Sequence, residues 1–195
     1  MPSLPTEDYY VHPSSLVETC DVGAGTTIWA FVHLLPGVRV GQHCNICDHC
    51  FAEAGVVLGD NVTLKCGIYL WHGTTLENDV FVGPNVVFTN DIHPRSKNKN
   101  YTLQPVTIRQ GASLGANSTV LAGTTVGRYA LVGIGSVVTR DIPDYALVYG
   151  NPARQHGWVD ETGEKLLAQG AGRWRSADNQ RTYYETPTGL QPDAS

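Results

Sequence analysis

A six-residue repeat is the feature that most constrains the fold of this 195-residue chain. Aliphatic or similar residues recur at every sixth position through thirteen consecutive sites, and after an interruption the spacing resumes in a new phase for six more. The first run is Leu16, Val22, Ile28, Leu34, Val40, Ile46, Ala52, Leu58, Leu64, Leu70, Leu76, Val82 and Phe88, and the second is Ile108, Leu114, Val120, Val126, Val132 and Val138. Such a period indicates a solenoid of stacked repeats, with an insertion between the two runs.

Each repeat consists of a short strand followed by a corner. Two residues before most repeat positions stands a second small or β-branched residue, such as Thr26, Cys44 or Val62, and side chains two apart share one face of a strand. The residues that follow are typical of sharp turns, as at 59–61 (Gly-Asp-Asn) and 83–85 (Gly-Pro-Asn). Strands this short bury an inward face only by stacking as coils, so an all-β solenoid is expected.

The repeat resembles that of the hexapeptide-repeat acyltransferases, in which three hexads make one triangular, left-handed coil of about 18 residues. The resemblance implies a left-handed parallel β-helix of about six triangular coils, from near His12 to near Pro143. We therefore expect a β-helix domain over residues 1–157, with an extended loop at 91–105. A short tail at 158–195, folded as short strands or a hairpin, is expected to pack on the last coil.

The charge balance and the hydropathy pattern exclude several kinds of partner. With 13 basic against 18 acidic residues the net charge is −5, and no basic run occurs, so a nucleic-acid partner is not expected. No apolar stretch approaches the roughly 18 residues that span a bilayer, and the N-terminus lacks the basic-then-apolar order of a signal peptide. We expect a cytoplasmic protein with no membrane partner.

Five cysteines include Cys47 and Cys50, whose spacing is typical of zinc or redox sites. In the repeat, however, Cys44 and Cys50 point inward from different walls while Cys47 lies at a corner, so a shared zinc is not expected. His43 and His49 occupy equivalent places at successive corners, across the triangle from each other, which argues against a metal site of the γ-carbonic-anhydrase type. We predict no metal cofactor.

Residues one coil apart lie above one another at about the 4.8 Å spacing of paired strands, so columns of neighbours can be read from the sequence. His72 and Asn90 form such a pair at one corner. Asp91 begins the interruption there, a polar and basic excursion through 91–101, and long excursions from a compact solenoid are usually functional. We take this corner as the candidate catalytic site.

The wall leading into that corner carries a row of outward aromatic and aliphatic residues, which are expected to be covered. The outward positions are His33, Phe51, Tyr69, Val87, Thr119 and Val137. Three such walls meeting about a threefold axis would cover one another and put the corner beside a neighbouring chain. A homotrimer with sites between subunits is therefore predicted.

Farther up the same corner lie Ala122, with Gly123 beside it, and then Arg140. A small residue leaves room for an extended pantetheine arm and exposes backbone amides, while a cation farther along suits phosphates. The segment 150–154 (GNPAR) is similar to the one that closes the β-helix in the hexapeptide superfamily, and its Arg154 is either another phosphate contact or a solvent-facing cation. These four residues are the predicted contacts of coenzyme A.

The stretch 76–91, with 94–97 (Pro-Arg-Ser-Lys) and the Trp-x-Phe-x-His pattern at 29–33, resembles the nucleotide-sugar 3-N-acetyltransferases. The resemblance implies transfer from acetyl-CoA to the amine of a dTDP-linked 3-amino-3,6-dideoxyhexose, or in a related branch of a UDP-linked 3-amino sugar acid. The residues expected to contact this nucleotide-linked amino sugar are His33, Tyr69, His93, Arg95 and Lys97.

An amine attacks a thioester only when it is unprotonated, so a nearby base assists the reaction. His72 stands where similar enzymes commonly carry an acidic residue, and a neutral imidazole accepts a proton near neutral pH. Asn90 would bind the sugar or the acyl oxygen, and Asp91 would orient the amine or hold the imidazolium. His93 is the rival base, because His93-Pro94 is similar to the His-Pro pair of hexapeptide O-acetyltransferases for simple sugars. Sugar O-acetylation through His93 and a non-catalytic trimeric scaffold stay open as alternatives.

Overall fold

A computed structural model describes residues 9–19, 21–98, 100 and 102–193. Within them the chain forms short β-strands joined by turns, and no helix is long and apolar enough to cross a membrane. Several positions used in the sequence interpretation lie outside the described residues: Cys20, residues 1–8 of the β-helix domain, residues 99 and 101 of the loop, and residues 194–195 of the tail.

The strands of the described chain are two to five residues long. In chain order they are β1 (Tyr10–Val11), β2 (Leu16–Val17), β3 (Thr27–Ile28), β4 (His33–Leu34), β5 (Arg39–Val40), β6 (Asn45–Ile46), β7 (Phe51–Ala52), β8 (Val57–Leu58), β9 (Thr63–Leu64), β10 (Tyr69–Leu70), β11 (Thr74–Leu76), β12 (Phe81–Val82), β13 (Val87–Phe88), β14 (Val106–Ile108), β15 (Ser113–Leu114), β16 (Thr119–Val120), β17 (Thr125–Val126), β18 (Leu131–Val132), β19 (Val137–Val138), β20 (Ala146–Tyr149), β21 (Arg154–Trp158), β22 (Leu167–Gly170), β23 (Arg173–Arg175), β24 (Thr182–Thr186) and β25 (Gly189–Pro192).

Three parallel walls make the left-handed β-helix, which confirms the predicted fold class. In the described chain the first wall is β1, β3, β6, β9, β12, β15, β18 and β20, with β21 added antiparallel at its end. The second wall is β2, β4, β7, β10, β13, β16 and β19, and the third is β5, β8, β11, β14 and β17. We call the corner between the first and second walls the first corner, and the one between the second and third walls the loop corner.

The interior of the triangle is filled by inward side chains in vertical columns. The register pairs Ile28 with Ile46 and Ile46 with Leu64, and all three are at most 1% exposed. Burying one such side chain stabilises the fold by about 1.5–3 kcal/mol. Thr26 and Cys44, two residues before a repeat position, are also buried, as predicted.

The number of coils differs from the prediction of about six. The eight parallel strands of the first wall in the described chain make about eight turns. Val148 pairs with Val132, only 16 positions earlier, and Val11 pairs with Ile28, 17 positions later. A strict six-residue spacing identifies only coils of 18 residues. The shorter coils at the two ends therefore could not be recognised from that spacing.

The first position of the predicted inward row is also wrong. Leu16 pairs with the outward His33 and is 54% exposed, whereas Val17 pairs with Leu34 and packs against the core. A coil one residue shorter reverses the face on which every side chain of the strand lies, because side chains alternate along a strand.

The residues after β21 form more structure than a hairpin. In the described chain β22, β23, β24 and β25 make a four-stranded antiparallel sheet. It joins the last coil through Asp144, whose N–H donates to the Thr188 carbonyl at 3.0 Å and whose carbonyl accepts from the Leu190 N–H at 3.1 Å. Tyr183 and Leu166 form a small core with Leu190 beneath it.

Candidate functional site

The loop corner is built on glycines with positive φ. Gly55, Gly73 and Gly123 have φ of +84°, +85° and +78°, a conformation that costs other residues strain. The loop departs from the β-helix after Asn90. Its two ends meet there, because the Gln104 N–H donates to the Asn90 carbonyl at 3.2 Å. The insertion therefore returns to the corner from which it starts.

His72 is exposed at this corner but fixed to the coil below. Its Nδ1 lies 2.6 Å from the Ala54 carbonyl oxygen, and its backbone N–H donates to Glu53 Oε2 at 2.8 Å. The ring covers Gly55, where an added Cβ would lie 2.6 Å from Nδ1. A carbonyl oxygen only accepts, so Nδ1 carries the hydrogen and neutral His72 has its lone pair on Nε2.

Asn90 lies one coil above His72. The register of Tyr69 with Val87 brings His72 and Asn90 to equivalent positions, and Asn90 is half-buried. The Asp91 carboxylate accepts the backbone N–H of His93 at 2.8 Å, which holds the start of the loop in a turn. A cavity of about 290 Å³ opens here, lined by Asp91, Ile92, His93, Asn98, Asn100, Thr102 and Gln104.

The residues expected to contact the sugar fall into two groups in one chain. His33 and Tyr69 lie on the second wall, where His33 Nε2 is 2.9 Å from Glu18 Oε2 and the Tyr69 ring is edge-on to Phe51 at 6.2 Å. His93, Arg95 and Lys97 are exposed in the loop. Arg95 donates to the Pro94 carbonyl at 2.8 Å.

The residues expected to bind coenzyme A follow the loop corner upward, with one correction. Ala122 is 5% exposed and its N–H donates to Thr89 Oγ1 at 2.8 Å, so this amide is not the exposed donor that was predicted. Gly123 is exposed, and Gln104 Oε1 lies 3.2 Å from its ideal Cβ position. Arg140 is exposed one coil higher.

Arg154 lies apart from that column. It begins β21 and donates from Nη1 to the Ala153 carbonyl at 3.0 Å. The Ala153 N–H in turn donates to the Val137 carbonyl at 2.8 Å, and the Val137 N–H donates to the Gly150 carbonyl at 2.9 Å. The segment 150–154 therefore continues the second wall by one more row.

Two polar residues that support the corner, Glu53 and Thr89, were not among the predicted site residues. Glu53 holds the His72 N–H, and Thr89 both accepts from Ala122 and donates to the Val120 carbonyl at 3.3 Å. Glu53 and Thr89 occupy the first position of the corner in their coils, as Trp71 does in its own coil. A comparison of these first positions along the column would have identified both residues.

The cysteines are arranged as the repeat predicts. Cys44 and Cys50 are buried, Cys47 is half-buried and Cys66 is exposed, and these four thiols are free. Burial raises the pKa of the Cys50 thiol to about 12, which disfavours the thiolate that a metal needs. Among the described residues no three His, Cys, Asp or Glu side chains group closely enough to hold a metal ion.

Known proteins resemble this chain in both repeat and overall sequence. Residues 37–72 and 105–140 match the family described as the hexapeptide repeat of succinyl-transferase. A dTDP-3-amino-3,6-dideoxy-alpha-D-galactopyranose 3-N-acetyltransferase from Aneurinibacillus thermoaerophilus is 56% identical over 161 residues, which cover 83% of this chain and 84% of that protein. A galactoside O-acetyltransferase from Lactococcus lactis is 32% identical over 145 residues, 68% of each chain.

A solved structure has the same architecture. PerB from Caulobacter crescentus, in complex with CoA and GDP-perosamine, is similar with a TM-score of 0.55 and 25% identity. The match covers 75% of this chain and 56% of PerB, so the chain spans little more than half the length of that protein. The resemblance to the nucleotide-sugar 3-N-acetyltransferases is confirmed by the 56% identity to one of them. The chain belongs to the hexapeptide-repeat acyltransferases.

Proposed function

We propose that the protein transfers an acetyl group from acetyl-CoA to the 3-amino group of a dTDP-linked amino-deoxyhexose. The 56% identity to an enzyme of that name, over most of both chains, supports the substrate class. The observation that carries the chemistry is the orientation of His72, whose Nδ1–H is committed to the Ala54 carbonyl. That bond leaves Nε2 as a proton acceptor at an exposed corner.

In this mechanism the neutral amine nitrogen attacks the thioester carbonyl carbon and His72 Nε2 takes the proton that the amine loses. The tetrahedral intermediate collapses with cleavage of the carbon–sulfur bond, and the imidazolium returns its proton to the departing CoA sulfur. Asn90 binds the sugar or the acyl oxygen, and Asp91 orients the amine. General-base help of this kind contributes about 10²–10⁴ in rate.

We further propose that acetyl-CoA lies along the loop corner above Asn90. Gly123 leaves room there for the pantetheine arm, and the exposed Arg140 one coil higher suits the phosphates. Arg154 is a second phosphate contact from the closing segment. PerB is a relative of the same architecture that is known with CoA bound, which supports a coenzyme A donor.

The protein is proposed to be a homotrimer with its sites between subunits. Outward residues of the second wall expose apolar surface, with Leu16 at 54%, Tyr69 at 52% and Val87 at 50%. Tyr69 pairs with Phe51 on one side and with Val87 on the other, and an apolar patch of this kind is expected to be covered by another surface. We place the protein in the cytoplasm, because its free cysteines in the described chain suit a reducing compartment.

The test is an acetyl-transfer assay read by mass spectrometry. Acetyl-CoA with a dTDP-linked 3-amino-3,6-dideoxyhexose should yield a product 42 Da heavier, within the roughly 1–10³ s⁻¹ range of ordinary enzymes. The same assay with UDP-linked 3-amino sugar acids measures the specificity for the acceptor. Formyl and longer acyl donors measure the specificity for the acyl group. No product with any nucleotide-linked amine would contradict the proposal.

A second candidate is acetylation of a sugar hydroxyl with His93 as the base. The relative named galactoside O-acetyltransferase and the position of His93 at the cavity beside Asp91 favour it. Product formation from a galactoside, abolished by His93→Asn and absent with the amino sugar, would select this candidate. A non-catalytic scaffold would fail in both assays and would bind no coenzyme A.

A further inference from the structure

The first corner carries exposed aromatic rings near the N-terminal end of the helix. Phe31 is 59% exposed and Trp29 is 45% exposed, two residues apart along the chain. Trp29 Nε1 donates to Asn45 Oδ1 at 2.7 Å, and the Tyr10 ring meets the Trp29 ring at 6.2 Å. Large aromatic side chains that are exposed and yet held in place commonly mark a binding surface.

Phe31 and His49 form a flat shelf at this corner. Their ring centroids are 5.0 Å apart and their planes are inclined by only 10°. Both have positive φ, 59° for Phe31 and 61° for His49, which is uncommon for side chains of this size. The Phe31 N–H also donates to Ser14 Oγ at 3.2 Å. His49 covers one face of the Phe31 ring, and the exposed ring offers its other face to a planar group.

The proposed trimer brings this shelf to the catalytic corner. When the second walls of three triangular helices face a common axis, the loop corner of one subunit meets the first corner of the next. His49 lies one coil and Phe31 two coils below the level of His72, which is about 5 and 10 Å along the axis. The shelf is therefore on the N-terminal side of the reacting amine, opposite to Arg140.

A cation lies above the shelf, at the level of His72. Lys65 is at the first corner in the same coil as His72, two coils above Trp29. Among the described residues Lys65 forms no ion pair with a carboxylate. The planar shelf lies below, while Lys65 of one subunit and His72 of the next lie at one level above it. A nucleobase below, with a diphosphate and a sugar amine above it, fits this arrangement.

We propose that Phe31, backed by His49, stacks on the base of the nucleotide-linked sugar bound at His72 of the neighbouring subunit, with Lys65 beside the diphosphate. This inference rests on the proposed function for the identity of the sugar nucleotide. The adenine of coenzyme A is the other planar base available. Its phosphates are assigned to Arg140, on the far side of His72, so the shelf belongs to the sugar nucleotide.

The experiment measures binding of dTDP, without any sugar, by calorimetry. Phe31→Asn removes the ring with a residue that tolerates positive φ, and Kd for dTDP should rise about tenfold or more, because the base loses its stacking partner. The KM for acetyl-CoA should not change. His49→Asn is a second variant with the same expectation, and Phe81→Thr, at an exposed ring on the first wall, is the matched control.

An unchanged Kd for dTDP in well-folded Phe31→Asn and His49→Asn would overturn the proposal, and a rise confined to the KM for acetyl-CoA would assign the shelf to adenine and overturn it equally. Because dTDP binding is measured without turnover, this result is separate from failure of the acetyl-transfer assay. Mixed trimers of Phe31→Asn and His72→Asn should recover low-KM turnover, since some sites then receive both native residues. No recovery would place the two residues in one subunit's site and contradict the arrangement.

Discussion

His72 Nδ1 lies 2.6 Å from the carbonyl oxygen of Ala54, one coil below, and this bond fixes which imidazole nitrogen can accept a proton. His72→Asn removes that acceptor and keeps a polar side chain of similar reach. We expect kcat to fall about 10²–10⁴-fold with little change in the KM for the sugar. Steady-state kinetics with both substrates varied would measure the two effects separately.

The pH profile of kcat distinguishes the two histidines. The acid limb should disappear in His72→Asn and persist in His93→Asn, which serves as the matched control. The reverse pattern would transfer the role of base to His93. An acid limb unchanged in both variants would mean that deprotonation of the amine itself is the titrating event.

Arg140→Ala should raise the KM for acetyl-CoA about tenfold and leave the KM for the sugar unchanged, because a single charged contact to phosphate is worth about 1.5–3 kcal/mol. Arg39→Ala, at an exposed arginine of the third wall, is the control. If the KM for acetyl-CoA does not move, the proposed direction of the cofactor along the loop corner is wrong.

Tyr69→Glu should convert the trimer into monomers, because it places three carboxylates around the proposed axis where a half-exposed ring now stands. Phe81→Glu introduces the same charge on the first wall and should leave the mass unchanged. Light scattering at micromolar concentration measures both. A native protein that is already monomeric under these conditions would remove the basis for sites between subunits.

Glu161 joins the tail sheet to the last coil. Burial opposes its charge, but hydrogen bonds from Tyr183 Oη at 2.6 Å and Tyr145 Oη at 3.1 Å, together with Arg181, outweigh burial and lower the pKa of the carboxyl from its ordinary 4.5. The contribution of the Glu161 carboxylate to the stability of the fold is therefore present above about pH 4.5. It is lost as the pH falls through the lowered pKa of the folded state.

Glu161→Ala should destabilise the tail sheet at neutral pH by about 1–3 kcal/mol, because the hydroxyl of the buried Tyr183 loses its acceptor. The loss relative to the native protein should shrink in acid. Thermal unfolding followed by tryptophan fluorescence at pH 7 and below pH 4 measures it, and Glu164→Ala, at an exposed neighbour, is the control. A pH-independent difference would contradict the role of the carboxylate charge.

Cys66 should react with iodoacetamide before Cys44 or Cys50 in the folded protein. Cys66 is exposed, whereas burial raises the pKa of both Cys44 and Cys50 and keeps the reactive thiolate scarce. Peptide mass spectrometry during a time course measures the order, with guanidinium-unfolded protein as the reference. Early labelling of Cys50 would mean that the coil around it opens readily.

The regular coils could be predicted because their physical cause is local. Ile28 and Leu64 each occupy a position whose inward direction follows from a two-residue strand and a tight corner, so six-residue spacing is enough to place them. The pairing of His72 with Asn90 follows from the same arithmetic. The six-residue rule fails at Leu16, because the first coil is one residue shorter and the inward and outward faces of the strand are exchanged.

The tail and the amide of Ala122 depended on contacts that the repeat does not contain. The tail sheet is held by Asp144 and Glu161, two polar residues whose partners are distant in the chain. Ala122 has a predictable position, but its N–H bonds with Thr89, 33 residues earlier across the loop. Single hydrogen bonds over such separations leave no periodic signal in a sequence.

A stack of parallel coils is in principle an open-ended filament, since each coil offers the next the same ladder of N–H and C=O groups that it used on the coil before. The reversal at Gly150 ends this ladder. β21 runs antiparallel to β20, with Ala146 opposite Trp158, so the incoming first coil of a second molecule would find no parallel register to extend. The antiparallel end therefore limits the solenoid to the coils of a single chain and disfavours fibre growth along the helix axis. Lateral association between walls of different subunits is still possible.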